Sequence, residues 1–373
     1  MNNNIRVGNL FGIPFYVNPS WFLVLGLVTF SYGEQLSLFP QLNGLLPWLL
    51  GFIAALLLFA SVLAHELGHS FVAISQGIDV KSITLFLFGG LASLDKESDT
   101  PLEAFLVAIA GPGVSLLLSA IFFFTAFNFN FSAPIAAIIE LLAFINLVLG
   151  LFNLILGLPL DGGNILKSLV WKITGNPNKG IIFASRVGQV FGWLAIAIGG
   201  LSILGILRFG NFWTLLIGFF LLQNAGNSAQ SARVQETLNG YTAKDAVIPN
   251  SPIVSGELNV REFVNDYVIG KNQWRKFLVV NEEGKLSGVL EVEGLKRIST
   301  SEWTEIKLYE VMQPVQDLIT IQSDETLLEV VKQIEEDPLQ QLTVIGENDQ
   351  VLGLLEKSSI IELLQKDKQA KTA

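Results

Sequence analysis

The chain has 373 residues, of which 51% are hydrophobic and only 15% charged, a balance typical of a membrane protein rather than a soluble globule. Its formal net charge of −10 lies entirely after residue 233, since residues 1–233 hold nine basic and nine acidic side chains. The acidic remainder excludes nucleic acid as its partner, and the absence of cysteine excludes disulfides, thiolate catalysis and cysteine-bound zinc.

Apolar stretches in the first 233 residues are long enough for about six transmembrane helices, each of which takes about 20 residues. They lie at 19–38, 46–76, 102–128, 134–157, 181–206 and 211–230, and the first is the weakest because its end is polar. The first 21 residues lack the pattern of a removable signal. Basic residues follow the positive-inside rule if both termini are cytoplasmic. These features predict a polytopic α-helical membrane protein with a soluble C-terminal domain.

Two segments between these spans interrupt the helical pattern. Residues 79–99 alternate in hydrophobicity and contain Gly89-Gly90, which predicts a re-entrant hairpin or loop folded back into the membrane region. Residues 156–164 contain Pro159 and Gly162-Gly163, which break a helix. Irregular backbone at membrane depth is tolerated where it lines a cavity, so both segments are expected to border one.

Both histidines of the chain lie in the second predicted span, in the pentapeptide HELGH at 65–69. Positions i and i+4 of a helix face the same side, so His65 and His69 can bind one ion, and imidazole suits zinc. Glu66 lies beside them and can act as a general base. The order matches the H-E-x-x-H pattern of zinc metallopeptidases. A packed histidine pair is the alternative, which a membrane helix disfavours because buried ionisable groups are costly.

A catalytic zinc ion needs a third protein ligand. Because the chain has no further histidine and no cysteine, that ligand must be a carboxylate. Asp161 follows an apolar helix near the cytoplasmic side, at the depth predicted for the histidines, whereas Glu140 lies nearer the outer end of its span. The alternative for Asp161 is to cap a helix that starts near Ile165.

The acidic part contains an internal repeat with an offset of 65 residues. FLVVNEEGKLSGVLEVEGLKRI at 277–298 aligns with LTVIGENDQVLGLLEKSSIIEL at 342–363. Each copy predicts a strand, a turn, a strand and an amphipathic helix, which together form one α/β module. Residues 240–366 therefore resemble a tandem pair of cystathionine-β-synthase (CBS) domains.

The resemblance to CBS pairs raises an adenine nucleotide as a ligand, because many such pairs hold its ribose with an aspartate. The first copy has Glu291 and Gly294 in the corresponding pattern, and the second has Glu356 and Ser359. Neither copy has the ribose aspartate. We therefore favour a structural module or one that forms a homodimer, and nucleotide binding stays open.

Four motifs together resemble the site-2 protease family of intramembrane zinc metalloproteases over about residues 8–225. They are HELGH, FLFGG at 86–90, AGPGVS at 110–115 and NLILGLPLDGG at 153–163. The resemblance implies one zinc ion bound by His65, His69 and Asp161, with Glu66 as the catalytic base. It also implies that Asn153 helps to hold the substrate carbonyl or oxyanion; the alternative for Asn153 is a polar contact between helices.

The family resemblance implies an intramembrane protease domain at 1–233 and a CBS pair at 240–366. Its substrates would be transmembrane proteins, such as anti-sigma-factor-like or other single-span proteins, in the lipid bilayer of a bacterial inner membrane. The family often has proline at the position of Leu156 and asparagine at that of Ser115, departures expected to affect the shape of the cleft more than the chemistry.

Three glycine pairs have structural and functional interpretations. Gly89-Gly90 either makes a turn or borders the substrate cleft, where a backbone edge can pair with an extended peptide. GPG at 111–113 is expected to permit close helix packing, and GQVFG at 188–192 to pack helices within the chain.

Two other functions are consistent with parts of the sequence. A transporter or channel with a CBS regulator would explain buried ionisable groups and the C-terminal repeat, but it gives no reason for the H-E-x-x-H order. An inactive homologue that binds membrane proteins is disfavoured because His65, Glu66 and His69 are all intact.

Overall fold

A computed structural model describes residues 4–87, 89–271, 274–314, 319–336 and 341–370. The chain forms two compact units, Met1–Arg233 and Val234–Ala373. The end of the first unit coincides with the point after which the negative charge accumulates.

Within the described residues, seven helices form the first unit, and the last of them continues beyond it. They are α1 Pro19–Ser37, α2 Leu46–Ser75, α3 Pro101–Asn128, α4 Ala133–Asn153, α5 Asp161–Thr174, α6 Pro177–Ile203 and α7 Phe212–Asn239. Five of these helices have proline in their first two positions, where its missing N–H leaves no hydrogen bond unmade.

Four of the described helices are long and apolar enough to cross a membrane, namely α2, α3, α4 and α6. They correspond to four of the predicted spans. The other two predicted spans form α1 and α7, which do not meet the same standard of length and hydropathy. The polytopic α-helical membrane fold is therefore confirmed, whereas a total of six spans stays a prediction.

A four-stranded sheet lies beside these helices, in the order β1 Ile5–Leu10, β2 Ile13–Val17, β3 Val80–Phe86 and β4 Gly89–Leu94. The hairpin predicted at 79–99 is β3 and β4, which pair antiparallel. The hairpin of β1 and β2 was not predicted, although its sequence alternates around Gly12, which has a positive φ of 86°. β2 joins the two hairpins by parallel pairing with β3, and β4 is left at one edge.

The break predicted at 156–164 is present, and it begins earlier than expected. Helix α4 ends at Asn153 instead of continuing to 157, and α5 begins at Asp161. Glycines let this connection pack closely, since a Cβ on Gly163 would clash with the backbone of Leu158 and one on Gly188 would clash with the carbonyl oxygen of Leu158. Gly188 of the GQVFG motif thus packs within the chain, as predicted.

The second unit repeats one arrangement of three strands. β5 Ile253–Ser255 pairs parallel with β6 Lys276–Val280, which pairs antiparallel with β7 Leu286–Glu291. β9 Thr320–Gln322, β10 Leu342–Ile345 and β11 Val351–Leu355 pair in the same way. The two-residue β8 Gln313–Pro314 adds to the edge of β7. The structure thus has the internal repeat that the sequence predicts.

Among the residues that the structure describes, the α-helices of the second unit are α8 Val260–Phe263, α9 Leu308–Val311, α10 Leu327–Glu336 and α11 Lys357–Ala370. The helix predicted after the second copy is α11. The one predicted after the first copy is wrong, because a short 3₁₀ helix, Val292–Arg297, stands there. Gly294 lies in the middle of that segment, and glycine costs an α-helix about 1 kcal/mol relative to alanine.

Candidate metal and catalytic site

The two histidines of α2 and the aspartate that begins α5 meet in the interior of the first unit. Nε2 of His65 lies 3.1 Å from Oδ2 of Asp161, and Nε2 of His69 lies 3.4 Å from the same oxygen. The two Nε2 atoms are 3.3 Å apart. All three side chains are largely buried, with exposed fractions between 5% and 17%. The structure therefore brings together three atoms that can each donate a lone pair.

The triangle formed by these atoms has the dimensions of a zinc site. Ligand atoms about 2.0–2.2 Å from a tetrahedral zinc ion are separated by about 3.3 Å. The three observed separations, 3.1, 3.3 and 3.4 Å, bracket that value. Two imidazoles and one carboxylate also form a donor set typical of a catalytic zinc site, which leaves the fourth position for water or substrate.

Hydrogen bonds on the far side of each imidazole set its tautomer. Nδ1 of His69 lies 2.6 Å from the carbonyl oxygen of Val107, which can only accept, so this nitrogen carries the proton. Nδ1 of His65 lies 2.9 Å from Oγ of Ser115, which can accept in the same way. Neutral rings held like this turn their Nε2 lone pairs towards Asp161, as metal ligation requires.

Gly111 on α3 provides the room in which these ligand atoms converge. A Cβ at this position would clash with Nε2 of His69 and would lie 2.7 Å from Nε2 of His65. Gly111 of GPG therefore permits close packing of α3 against α2, as predicted, and the α2 side chains that it admits are the two histidines. The same prediction is wrong for Gly113, where a Cβ would meet nothing within 4 Å.

Glu66 follows His65 on α2 and points towards strand β4. Its Oε2 accepts a hydrogen bond of 3.2 Å from the backbone N–H of Ala92. A Cβ on Gly90 would clash with Cγ of Glu66, so the second glycine of the predicted pair gives Glu66 its space. The hairpin thus touches the site itself as well as making a turn.

Asn153 is the last residue of α4 and lines the same cavity as the histidines. Its Nδ2 donates to the carbonyl oxygen of Leu149 in its own helix, at 3.1 Å. This bond lies within α4, so it is not the polar contact between helices that was the alternative for Asn153. Asn146 makes a contact of that kind. The buried Nδ2 of Asn146 lies 3.0 Å from Oγ of Ser61 on α2.

A cavity of about 350 Å³ joins these residues. Its walls come from α2, from the β4 edge, from α3 and from the face of α5 that carries Asp161. The other carboxylate considered for the site, Glu140, is exposed on the surface of α4. Asp161 itself is the first residue of α5, whose N-cap is Leu160, so it does not serve as the predicted cap.

Sequence reasoning missed three contributors to the site, namely Gly111, Ser115 and the carbonyl group of Val107. The substitution at Ser115 was expected to affect cleft shape, but the structure places its hydroxyl on a histidine of the site. A signal was present, because Ser115 and Gly111 lie four residues apart and hence on one face of α3. The Val107 carbonyl has no sequence signal, since every residue carries one.

Comparisons with known proteins identify the family of the chain. A model of peptidase family M50 matches residues 53–138 and 129–195, and a CBS domain model matches 308–366. A protein of Synechocystis sp. named as a zinc metalloprotease is 62% identical over 98% of this chain and 96% of its own length. Rip3 of Mycobacterium tuberculosis, likewise named, is 31% identical over 98% of this chain and 93% of its own. The solved site-2 protease from Methanocaldococcus jannaschii is 28% identical, covers 61% of this chain and 95% of that one, and gives a TM-score of 0.45.

Proposed function

We propose, for a chain that belongs to peptidase family M50, the site-2 protease family, that His65, His69 and Asp161 bind its zinc ion and that Glu66 is its general base. The protein is an intramembrane zinc metalloprotease with a C-terminal CBS domain, and its substrates are membrane proteins. The observation that carries the residue assignment is the convergence of three lone-pair atoms within 3.4 Å of one another. A transporter has no support from the relatives.

Zinc bound by these residues supplies Lewis acidity, which polarises a carbonyl group and makes a neighbouring water more acidic. Glu66 takes a proton from the attacking water and later delivers it to the leaving amine. The amide of Ala92 holds Oε2 of Glu66, which fixes the direction of the carboxylate and leaves Oε1 to carry the proton. One residue thus performs both proton transfers.

We assign to Asn153 the role of holding the substrate carbonyl or oxyanion. A side-chain amide has two N–H donors, and the Leu149 carbonyl uses one of them. The second remains for an oxygen in the cavity that Asn153 lines. Donors fixed in this way before reaction stabilise developing negative charge most effectively.

The substrate peptide is proposed to lie along β4 as an additional strand. The N–H of Ala92 points away from β3 towards Glu66, and alternate residues of a strand point their backbone groups the same way. Gly90 and Leu94 therefore present backbone groups on the same side, and both line the cavity. An extended segment can pair with this edge once its transmembrane helix unwinds locally.

The protease domain is assigned to 1–233 and the CBS pair to 240–366. Basic residues such as Lys81, Lys96 and Lys172 support a multi-pass topology with both termini in the cytoplasm, in a bacterial inner membrane. Single-span proteins of the anti-sigma-factor type are the proposed substrates, and homodimer formation is the proposed role of the CBS pair.

The missing ribose aspartates speak against an adenine nucleotide in the CBS pair. Glu356, which stands in the pattern of the second copy, already bonds within the unit. Its Oε1 accepts from Nε2 of Gln341 at 2.5 Å, and its Oε2 accepts from Oγ of Ser358 at 3.1 Å.

One comparison tests the proposed protease site. The full chain and its Glu66→Ala variant are purified in detergent, their zinc content is measured, and each is incubated with a model single-span substrate. Equal zinc in both, with cleavage lost in the variant, supports the assignment. Cleavage that continues in the variant at the wild-type rate contradicts it.

A further inference from the structure

One face of α5 carries polar and aromatic side chains from the metal site to the rim of the cavity. Asp161, Asn164, Lys167 and Trp171 follow one another at intervals of three or four residues, and all four line the cavity. Lys167 is therefore a cation in the wall of the catalytic cavity, two turns along the helix from a metal-ligand candidate. The proton transfers and the metal site described above do not use it.

Lys167 is bonded to a residue of the opposite wall. Its Nζ lies 2.6 Å from Oε2 of Glu97, in the segment that connects β4 to α3. The two side chains are buried to very different extents, because Lys167 is 14% exposed and Glu97 is 71% exposed. Lys167 belongs to the cavity, whereas Glu97 reaches into it from the surface.

The charged residues next to Glu97 in the sequence form ion pairs that do not involve Lys167. Asp95 forms an ion pair with Lys81 of the same hairpin at 2.7 Å, which lowers the pKa of the Asp95 carboxyl. Lys96 pairs with Asp99 at 3.0 Å, and these side chains are all at least half exposed. Within 95–99, Glu97 is the charged residue that forms an ion pair with α5 and lines the cavity.

The distance along α5 from Asp161 to Lys167 can be converted into a number of residues of an extended substrate. Six residues of helix separate Lys167 from Asp161, a rise of about 9 Å. An extended peptide advances about 3.3 Å per residue, so a substrate strand that ran along α5 from the metal site would bring its third residue to Lys167.

We propose that Lys167 is a specificity-determining residue that binds an acidic side chain of the substrate about three residues from the scissile bond, in the place that Glu97 occupies when no substrate is bound. The proposal rests on the protease function proposed above. Glu97 can leave because its side chain is mostly in water, where its carboxylate is hydrated. Lys167 stays in the cavity and needs an anion to replace it.

The test uses the full chain and a series of model single-span substrates. An aspartate is moved through the five positions on each side of the cleavage site, and each substrate is compared with its asparagine counterpart. The expected result is a ratio of kcat/KM of about tenfold in favour of aspartate at one position two to four residues from the cleaved bond. One charge-assisted hydrogen bond supports discrimination of this size.

Variants of the two residues assign this preference to Lys167. Lys167→Met removes the preference, Lys167→Arg keeps it, and Lys167→Glu reverses it in favour of a lysine in the substrate. Glu97→Gln increases the aspartate preference, since the competing carboxylate is gone. Lys172→Met is the matched control, because Lys172 is exposed on the same helix, and it keeps the wild-type ratio. Zinc content and thermal unfolding establish that each variant is folded, and the reversal in Lys167→Glu serves as the test if Lys167→Met does not fold.

The double variant Lys167→Glu with Glu97→Lys separates specificity from a structural role, because it restores the ion pair with its charges exchanged. A purely structural pair predicts that the aspartate preference returns, whereas the proposal predicts a preference for lysine. A wild-type ratio near one at every position, or an unchanged ratio in Lys167→Met, overturns the proposal. Failure of the protease assignment has a different result, since cleavage of the asparagine substrates would then be absent or would persist in Glu66→Ala.

Discussion

The hydrogen bond between Nδ1 of His69 and the carbonyl oxygen of Val107, 2.6 Å long, determines what the opposite face of the imidazole can do. Since the carbonyl can only accept, the proton sits on Nδ1 and the Nε2 lone pair faces His65 and Asp161. The backbone of α3 thereby orients a side chain of α2 for the metal binding proposed above. Two long helices must pack in one register for this to happen.

Glu66→Gln should leave zinc binding intact and remove proteolysis. The amide keeps the size of the side chain but cannot take a proton from water, and general base catalysis contributes about 10²–10⁴ in rate. Cleavage of a model transmembrane substrate and zinc content are measured on the same preparation. Glu34→Gln, a surface change on α1, is the control and should retain both. A Glu66→Gln variant that keeps more than a tenth of the wild-type rate would contradict a role as base.

Asp161→Asn should lose zinc. The substitution removes the negative charge and leaves two imidazoles, and losing a ligand should cost more than the roughly 10–100-fold in affinity typical of an outer-shell partner. Zinc per chain after dialysis against a weak chelator is the measurement. Asp79→Asn, in the exposed turn before β3, should keep a full complement. Full zinc in Asp161→Asn would mean that another residue completes the ligand set.

Gly111→Ala should abolish zinc binding and cleavage, because its Cβ would clash with Nε2 of His69 and crowd Nε2 of His65. Gly113→Ala is a closely matched control, two residues along the same helix, where a Cβ meets nothing within 4 Å. Alanine favours helix over glycine by about 1 kcal/mol, so this control should be as stable as wild type or more so. Equal zinc content in both variants is the outcome that contradicts the prediction.

Ser115→Ala should weaken zinc binding by about 10–100-fold, because His65 loses the partner that orients its ring. Competition with a chelator of known affinity measures the change. Ser115→Asn should bind zinc better than the alanine variant, since its amide oxygen can accept from Nδ1. Ser75→Ala provides the control, as that hydroxyl bonds only to a carbonyl of its own exposed turn. If Ser115→Ala and wild type bind zinc equally, the hydroxyl has no part in orienting His65.

Asn153→Ala should reduce kcat by about 10²–10³, the usual loss when one oxyanion donor is removed, with zinc content unchanged. Asn146→Ala is the informative comparison. Asn146 connects α4 to Ser61 of α2 and is fully buried, so its loss should lower thermal stability. A fall in stability with normal kcat in Asn153→Ala would instead assign it a structural role.

The sequence predicts the part of the site on α2 more directly than the parts on α3 and α5. HELGH predicts two ligands and a base because a helix places i and i+4 on one face, a local rule that no other part of the chain can alter. Asp161 was reached by elimination, from the shortage of histidine and cysteine, and the structure supplies the distances. For Gly111 the sequence predicts close packing but not its partners, because these depend on which side chains α2 turns towards it.

The amino-acid sequence by itself determined the membrane region, the H-E-x-x-H pair, the need for a carboxylate ligand and the C-terminal repeat. All of these follow from composition or from spacing along one element. Tertiary structure decided that Ser115 and the Val107 carbonyl orient the histidines, that Ala92 holds Glu66, and that Glu97 reaches Lys167. These contacts join residues that lie 26 to 70 positions apart in the sequence. They depend on how helices and strands pack together, which no local pattern of residues encodes.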